Sequence, residues 1–217
     1  GDVRHIDRFI CVSDFQADIM RRAGVPDAKL RRLHNFVDTA RITPVPAETR
    51  GRYLLYFGRI EKLKGVPTLI EAVKTTGHHL KIAGSGRWLD DMKRGISDCP
   101  NIEYLGFVHG EALESLIRGA RAVVVPSEWY EPFGLTVIEA KAAGTPVIGA
   151  EIGGIPELIR DGVDGFLFRP RDPQSLSDAL DRLARSDPAA LSKAARADAC
   201  ERFSPDTHLH QLLDIYR

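Results

Sequence analysis

Two carboxylates and two cations hold most of the chemistry this sequence offers. Glu131 and Glu139 stand eight residues apart, around Pro132-Phe133-Gly134-Leu135. Glu131 precedes a predicted helix start, and Glu139 falls inside that helix. A helix N-terminus presents unpaired N–H groups and the positive end of a dipole, which suits a phosphate. Gly134 at its mouth lets a ligand come close to the backbone. At ~100° per residue, Glu139 falls on the apolar arc of Leu135, Ala142 and Ala143, and not with Lys141. A carboxylate there is costly unless something donates hydrogen bonds to it. Taken alone, it fits equally a glutamate at the edge of a buried stripe that reaches solvent. Arg59 and Lys64 follow an apolar run and supply a fork and a point charge, a pair suited to a diphosphate. Alone they also fit a solvated loop.

The elements that must position these residues form a regular series. Apolar runs occur at Tyr53–Phe57, Leu80–Ala83, Ile102–Leu105, Ala122–Val125, Pro146–Gly149 and Gly165–Phe168. Helix-like segments separate most of them, at Pro67–Thr75, Arg87–Ile96, Glu111–Arg118, Gly134–Ala143 and, shorter, Ile155–Arg160. Strands apolar throughout and alternating with helices predict a parallel sheet covered on both faces. The fold class is therefore α/β: a doubly wound, Rossmann-like sheet of about six strands, with three further helices near Pro173–Arg185, Pro188–Arg202 and Pro205–Tyr216. Its ligand belongs beyond the C-terminal strand ends. The loops there hold Gly58-Arg59 with Lys64-Gly65, Gly84-Ser85-Gly86, Gly106-Phe107-Val108, Pro126-Ser127 through Glu131, and Gly153-Gly154-Ile155-Pro156-Glu157. Upstream, residues 8–12 predict a short strand, Ser13 or Asp14 the cap of a helix to about Ala23, and Leu30 to Asn35 a second strand. Residues 43–51, rich in Pro and small polar side chains, predict a linker.

Composition narrows the function. The 217 residues are 43% hydrophobic, and Lys+Arg 30 balance Asp+Glu 30, which argues against binding nucleic acid through a global basic field. Cys11, Cys99 and Cys200 form no CxxC pair, and the histidines show no ligand spacing with Cys or Asp, so no metal site is expected. No apolar run approaches the ~18 residues of a membrane span. Neither GxGxxG after the first strand nor GxxxxGK[ST] occurs, and there is no G-x-S-x-G elbow. The chain opens at Gly1 and enters a strand almost at once, which reads as a fragment boundary.

Taken in order, these motifs resemble the nucleotide-sugar-binding half of a retaining glycosyltransferase of the GT-B-fold family 4, strongly over residues 50–170. The closing Gly144-Thr145-Pro146-Val147 matches as well. The resemblance implies transfer of a hexose-type sugar from a nucleotide-diphospho-sugar donor to an acceptor hydroxyl, without cofactor or metal. Arg59 and Lys64 would bind the diphosphate and offset leaving-group charge, and Glu131 would face the transferred sugar. Gly58, Gly84, Gly134, Leu135 and Thr136 would line the nucleotide, Val108 would meet the base through its backbone, and Glu139 would accept from the ribose hydroxyls. The implied domains are a remnant of the N-terminal acceptor domain and hinge over 1–45, the donor domain over 46–203, and a helix over 204–217 that crosses back to the missing domain. With that domain absent, the chain would transfer nothing by itself, and its orphaned apolar surface would favour self-association. The implied location is cytoplasmic, with peripheral association of the full-length protein at the inner membrane face. Two other functions share the architecture. A nucleotide-sugar epimerase is disfavoured by the Arg59, Lys64, Glu131 and Glu139 set. The other is a non-catalytic nucleotide-diphosphate-binding subunit that partners a separate acceptor domain.

Overall fold

The structure, a computed structural model, describes residues 5–217. The first four residues of the proposed 1–45 segment thus lie outside the described residues. The chain begins with a small unit: strand β1 (Phe9–Cys11), helix α1 (Asp14–Arg22) and strand β2 (Leu30–Arg32), with β1 and β2 parallel. Ser13 is the cap of α1, its Oγ accepting from Gln16 N at 3.0 Å.

The main sheet follows: β3 (Tyr53–Arg59), β4 (His79–Ser85), β5 (Ile102–Tyr104), β6 (Ala122–Val125), β7 (Val147–Ala150) and β8 (Gly165–Phe168). All its pairings are parallel and its order is β5-β4-β3-β6-β7-β8. Strand order therefore reverses between β3 and β6, where a doubly wound sheet opens a crevice at its C-terminal edge. The intervening helices are α2 (Val66–Thr76), α3 (Leu89–Gly95), α4 (Gly110–Gly119) and α5 (Leu135–Ala142); α6 (Pro173–Arg185), α7 (Pro188–Arg202) and α8 (Pro205–Tyr216) close the chain. Asp172, Asp187 and Ser204 cap these last three through side-chain oxygens, each followed by a proline that needs no N–H partner.

The alternation along β3 divides the core. Leu54 and Tyr56 face one cluster with α2, α3 and α6, while Leu55 and Phe57 face another with α4, α5 and Phe203. Burial on both faces is why the central strands β3, β6 and β7 carry no polar alternation. Among the described residues no helix is long and apolar enough to cross a membrane.

Three expectations change. Strands β3 and β4 run on through Gly58-Arg59 and Gly84-Ser85, which pair in register, so these residues are strand ends and not loop. Residues 155–160 form only a 3-10 turn, Ile155–Leu158. On α5 the apolar arc is buried only in part: Ala142 and Ala143 are buried, but Leu135 is 51% exposed, and Lys141, off that arc, is fully buried. The helix is packed on most sides, so a two-faced reading does not apply. Lys141 Nζ donates to Leu158 O at 2.7 Å and to Asp198 Oδ2 at 2.5 Å, and lies 3.2 Å from Asp164 Oδ2. Arg160 and Arg202 complete this ion cluster.

Candidate functional site

At the switch point, the C-terminal ends of β3 and β6 flank a cleft of about 190 Å³. Gly58, Arg59, Lys64, Ser127, Glu131 and Thr136 are among its lining residues, so the structure gathers five of the ten expected site residues in one cavity. Gly84 lies beside Gly58 in the sheet register. Val108 packs against the second core cluster, and neither it nor Gly84 lines the cleft.

The centre is a trio. Lys64 Nζ donates to Glu131 Oε1, and Ser127 Oγ donates to the same oxygen at 3.1 Å. Two backbone approaches build it. Lys64 ends a 3-10 turn, and Gly65 follows with φ 71°, where a Cβ would lie 1.6 Å from Pro126 O. Only a residue without a side chain lets the loop after β3 press on the loop after β6. Glu128 N, bonded to Leu63 O at 2.9 Å, ties the same two loops. Beneath Glu131, Gly153 has φ 64° and a Cβ there would meet Glu131 O at 2.5 Å; Gly154 N donates to that oxygen at 2.8 Å. The Gly153-Gly154 pair is thus a seat for the Glu131 loop.

Arg59 stands at the rim, its side chain 67% exposed and its Nη1 3.2 Å from Glu61 Oε1. Its carbonyl accepts from the Tyr56 hydroxyl at 2.6 Å. Burial, helped by the charge of Glu131, pushes that phenol far above its usual range, so Tyr56 acts as a fixed donor.

Helix α5 starts at the cleft. Its first N–H groups, at Leu135 and Thr136, have no intrahelical partner by construction. Glu139 is half-buried one turn further on, and burial raises its carboxyl pKa. Among the described residues no hydrogen bond or ion pair reaches that side chain. It is a desolvated carboxylate with acceptor capacity to spare.

The N-terminal unit is fastened to this loop. Glu157 accepts from Asp14 N at 2.8 Å and Phe15 N at 2.7 Å, capping α1 from 143 residues away. Ser13 Oγ donates to Pro132 O, and Phe15 stacks on Tyr130 at 5.8 Å. His34, buried between Phe133 and Phe203, is held at a pKa of about 4 by desolvation first, then by Arg32 and Arg202.

Comparison with known proteins decides what this arrangement belongs to. The profile described as glycosyl transferases group 1 matches residues 39–198, and that described as glycosyltransferase family 4 matches residues 2–41. The chain belongs to the glycosyl transferases group 1 family. It is 37% identical to a glycogen synthase of Mycobacterium tuberculosis over 216 residues, covering 94% of this chain and 51% of that protein. It is 34% identical to a D-inositol 3-phosphate glycosyltransferase of Saccharomonospora viridis, covering 99% and 56%. The chain thus spans about half the length of the curated relatives it matches. Among solved structures, Anabaena HepE in complex with UDP and glucose superposes with a TM-score of 0.86 at 22% identity, over 97% of this chain and 63% of that one. The sucrose-phosphate synthase of Thermosynechococcus elongatus gives 0.83 at 26% identity, over 96% and 57%. As a group 1 glycosyltransferase domain, the chain has the GT-B half-fold that the motif order predicts.

Sequence reasoning missed Ser127, Tyr56 and Glu157 as parts of the site. Ser127 and Glu157 sit in motifs that carried the resemblance, yet their contacts are long-range and no spacing rule reports them. Tyr56 looked like one more apolar residue of a strand.

Proposed function

We propose that this chain is the donor side of a retaining glycosyltransferase, holding a nucleoside diphosphate sugar whose hexose passes to an acceptor hydroxyl with its anomeric configuration kept. The observation that carries this is the Lys64–Glu131 pair in a cleft at the sheet's switch point, beside a helix N-terminus. Lys64 and Arg59 meet the diphosphate and offset the charge that grows on it as the glycosidic bond breaks, with Leu135 and Thr136 N–H groups assisting. That provision needs no divalent cation. Glu131, released from Lys64, turns to the sugar. Glu139 accepts from the ribose hydroxyls, which answers its lack of donors. Gly58, Gly84 and Gly134 keep the backbone close to the nucleotide, and the Val108 backbone meets the base.

We divide the chain as 1–45, 46–203 and 204–217, the first segment belonging with an acceptor domain; the meeting of the two family profiles near residue 40 supports this. Without that domain the chain binds but does not turn over, and it sits in the cytoplasm, peripheral to the membrane in its full-length form. Ile10, Ile19, Phe36 and Tyr216 are exposed, which supports self-association. Calorimetric titration with UDP, GDP and ADP, then their sugars, tests the reading. Saturable binding of one nucleotide, lost in Lys64→Ala, is expected; binding of none would overturn it. Sugar release from the donor by the purified chain would overturn the inactivity alone, and a strictly monomeric species in light scattering would remove the self-association.

A further inference from the structure

A second cavity lies at the opposite edge of the sheet, where β3, β6 and β7 begin, roughly 20 Å from the cleft along β3. Its volume is about 190 Å³. The nucleotide cleft has the same volume, so it is the lining and not the size that chooses the ligand here. Arg50, Arg52 and Arg121 line it together with Leu183 and Leu191, and no carboxylate does. Among the described residues none of the three guanidinium groups has a carboxylate partner.

Arg50 is the anomaly. Its Nη1 donates to Thr145 Oγ1 at 2.6 Å, and its Nη2 to Ser192 Oγ at 3.1 Å and Ala143 O at 3.2 Å. Its Nε is nevertheless buried without an acceptor, the one such side-chain atom among the described residues. Burial lowers the Arg50 pKa with no carboxylate offsetting it. The carbonyl at the end of α5 accounts for part of this, since a helix C-terminus attracts a cation. It provides nothing for Nε, and no countercharge for Arg52 or Arg121. Pro188 at the rim is the start of α7, so that helix's positive end adds to the field; its cap, Asp187, is engaged by Ala189 N at 2.8 Å and Ala190 N at 3.3 Å.

We propose that this cavity binds a phosphoryl group, free or carried by a small phosphoester, at a site separate from the nucleotide cleft. A buried guanidinium N–H without an acceptor, beside two more exposed guanidinium groups without countercharge, suits a tetrahedral anion that accepts from several donors at once. The leucines in the lining suit a compact organic remainder. Both sites touch the same helix: Arg50 holds the C-terminal end of α5, and the N-terminal end edges the cleft.

The test uses the full chain carrying Arg59→Ala and Lys64→Ala, so that phosphate in the nucleotide cleft does not count. It is titrated with inorganic phosphate and, separately, with a hexose 6-phosphate, against sodium chloride at matched ionic strength. Nitrogen–proton NMR follows the Arg50 Nε–H resonance. Expected are saturable binding with a Kd of about 1 mM or tighter and a shift of that resonance. Adding Arg52→Gln and Arg121→Gln, which keep most of each stem, should weaken binding about tenfold or more, the loss of one charge-assisted hydrogen bond. Equal affinity for the two probes assigns the free ion, and tighter binding of the ester assigns the ester. Non-saturable binding, an unmoved Arg50 resonance, or equal affinity after the two glutamine changes would overturn the proposal.

Discussion

Lys64 and Glu139 put opposite demands on the empty and the occupied cleft. Lys64→Ala leaves Glu131, about one-fifth exposed, with Ser127 as its remaining side-chain donor, so it should cost about 1–3 kcal/mol of stability. The same change should weaken nucleotide binding about ten- to a hundredfold, measured by calorimetry, because it removes the proposed charge-assisted bond to the diphosphate. Glu139 runs the other way. Its raised carboxyl pKa means that the folded chain binds a proton the unfolded chain has already lost, so its contribution is fullest below the ordinary glutamate range and is lost as pH rises through the folded value. Glu139→Gln should therefore raise the thermal midpoint of the empty chain at neutral pH while weakening the nucleotide. A variant that gained stability and kept full affinity would remove Glu139 from the ribose. The helical period located Glu139 among apolar neighbours, and that was legible. The burial of Lys141 was not, because its partners Asp164 and Asp198 arrive from elements 23 and 57 residues further on.

The elements were legible because each is locally consistent: apolar runs bounded by glycine, and helices opened by Ser13, Asp172, Asp187 and Ser204. Where elements meet was not. No local pattern announces that Glu157 caps α1. Glu157→Ala should cost about 1–2 kcal/mol, the usual value of a lost helix cap. Hydrogen exchange should show faster opening confined to residues 5–38, with the six-stranded sheet unchanged. Acid should loosen the same N-terminal unit through His34. His34 is at about 4 when folded against 6.5 in its ordinary state. Between those values the unfolded chain takes a proton that the folded chain refuses. Stability is thus complete above about pH 6.5 and falls toward pH 4 by up to about 3 kcal/mol. His34→Gln should flatten that limb of a pH series of denaturant unfolding curves.

At the scale of the whole molecule, the doubly wound order sets everything else, since it puts the loops of β3 and β6 side by side with no covering strand. The buried Lys141 cluster joins α5, α7 and the segment before β8 into one body. Lys141→Met leaves Asp164 and Asp198 buried without their shared cation, a loss of about 3–5 kcal/mol. In a chain of this size that lowers the melting temperature by about 10 °C or more, readable by circular dichroism. A shift of a degree or two would mean that Arg160 and Arg202 suffice. The fastening of α1 to the Glu131 loop has a consequence of another kind. Residues 5–38 are held by Glu157, Pro132, Tyr130 and Phe203, none of which depends on the covalent linker. Glu48 and Thr49 in that linker are exposed. Protease nicking there should therefore yield two fragments that co-elute as one particle, and a Glu157→Ala chain cut in the same place should come apart.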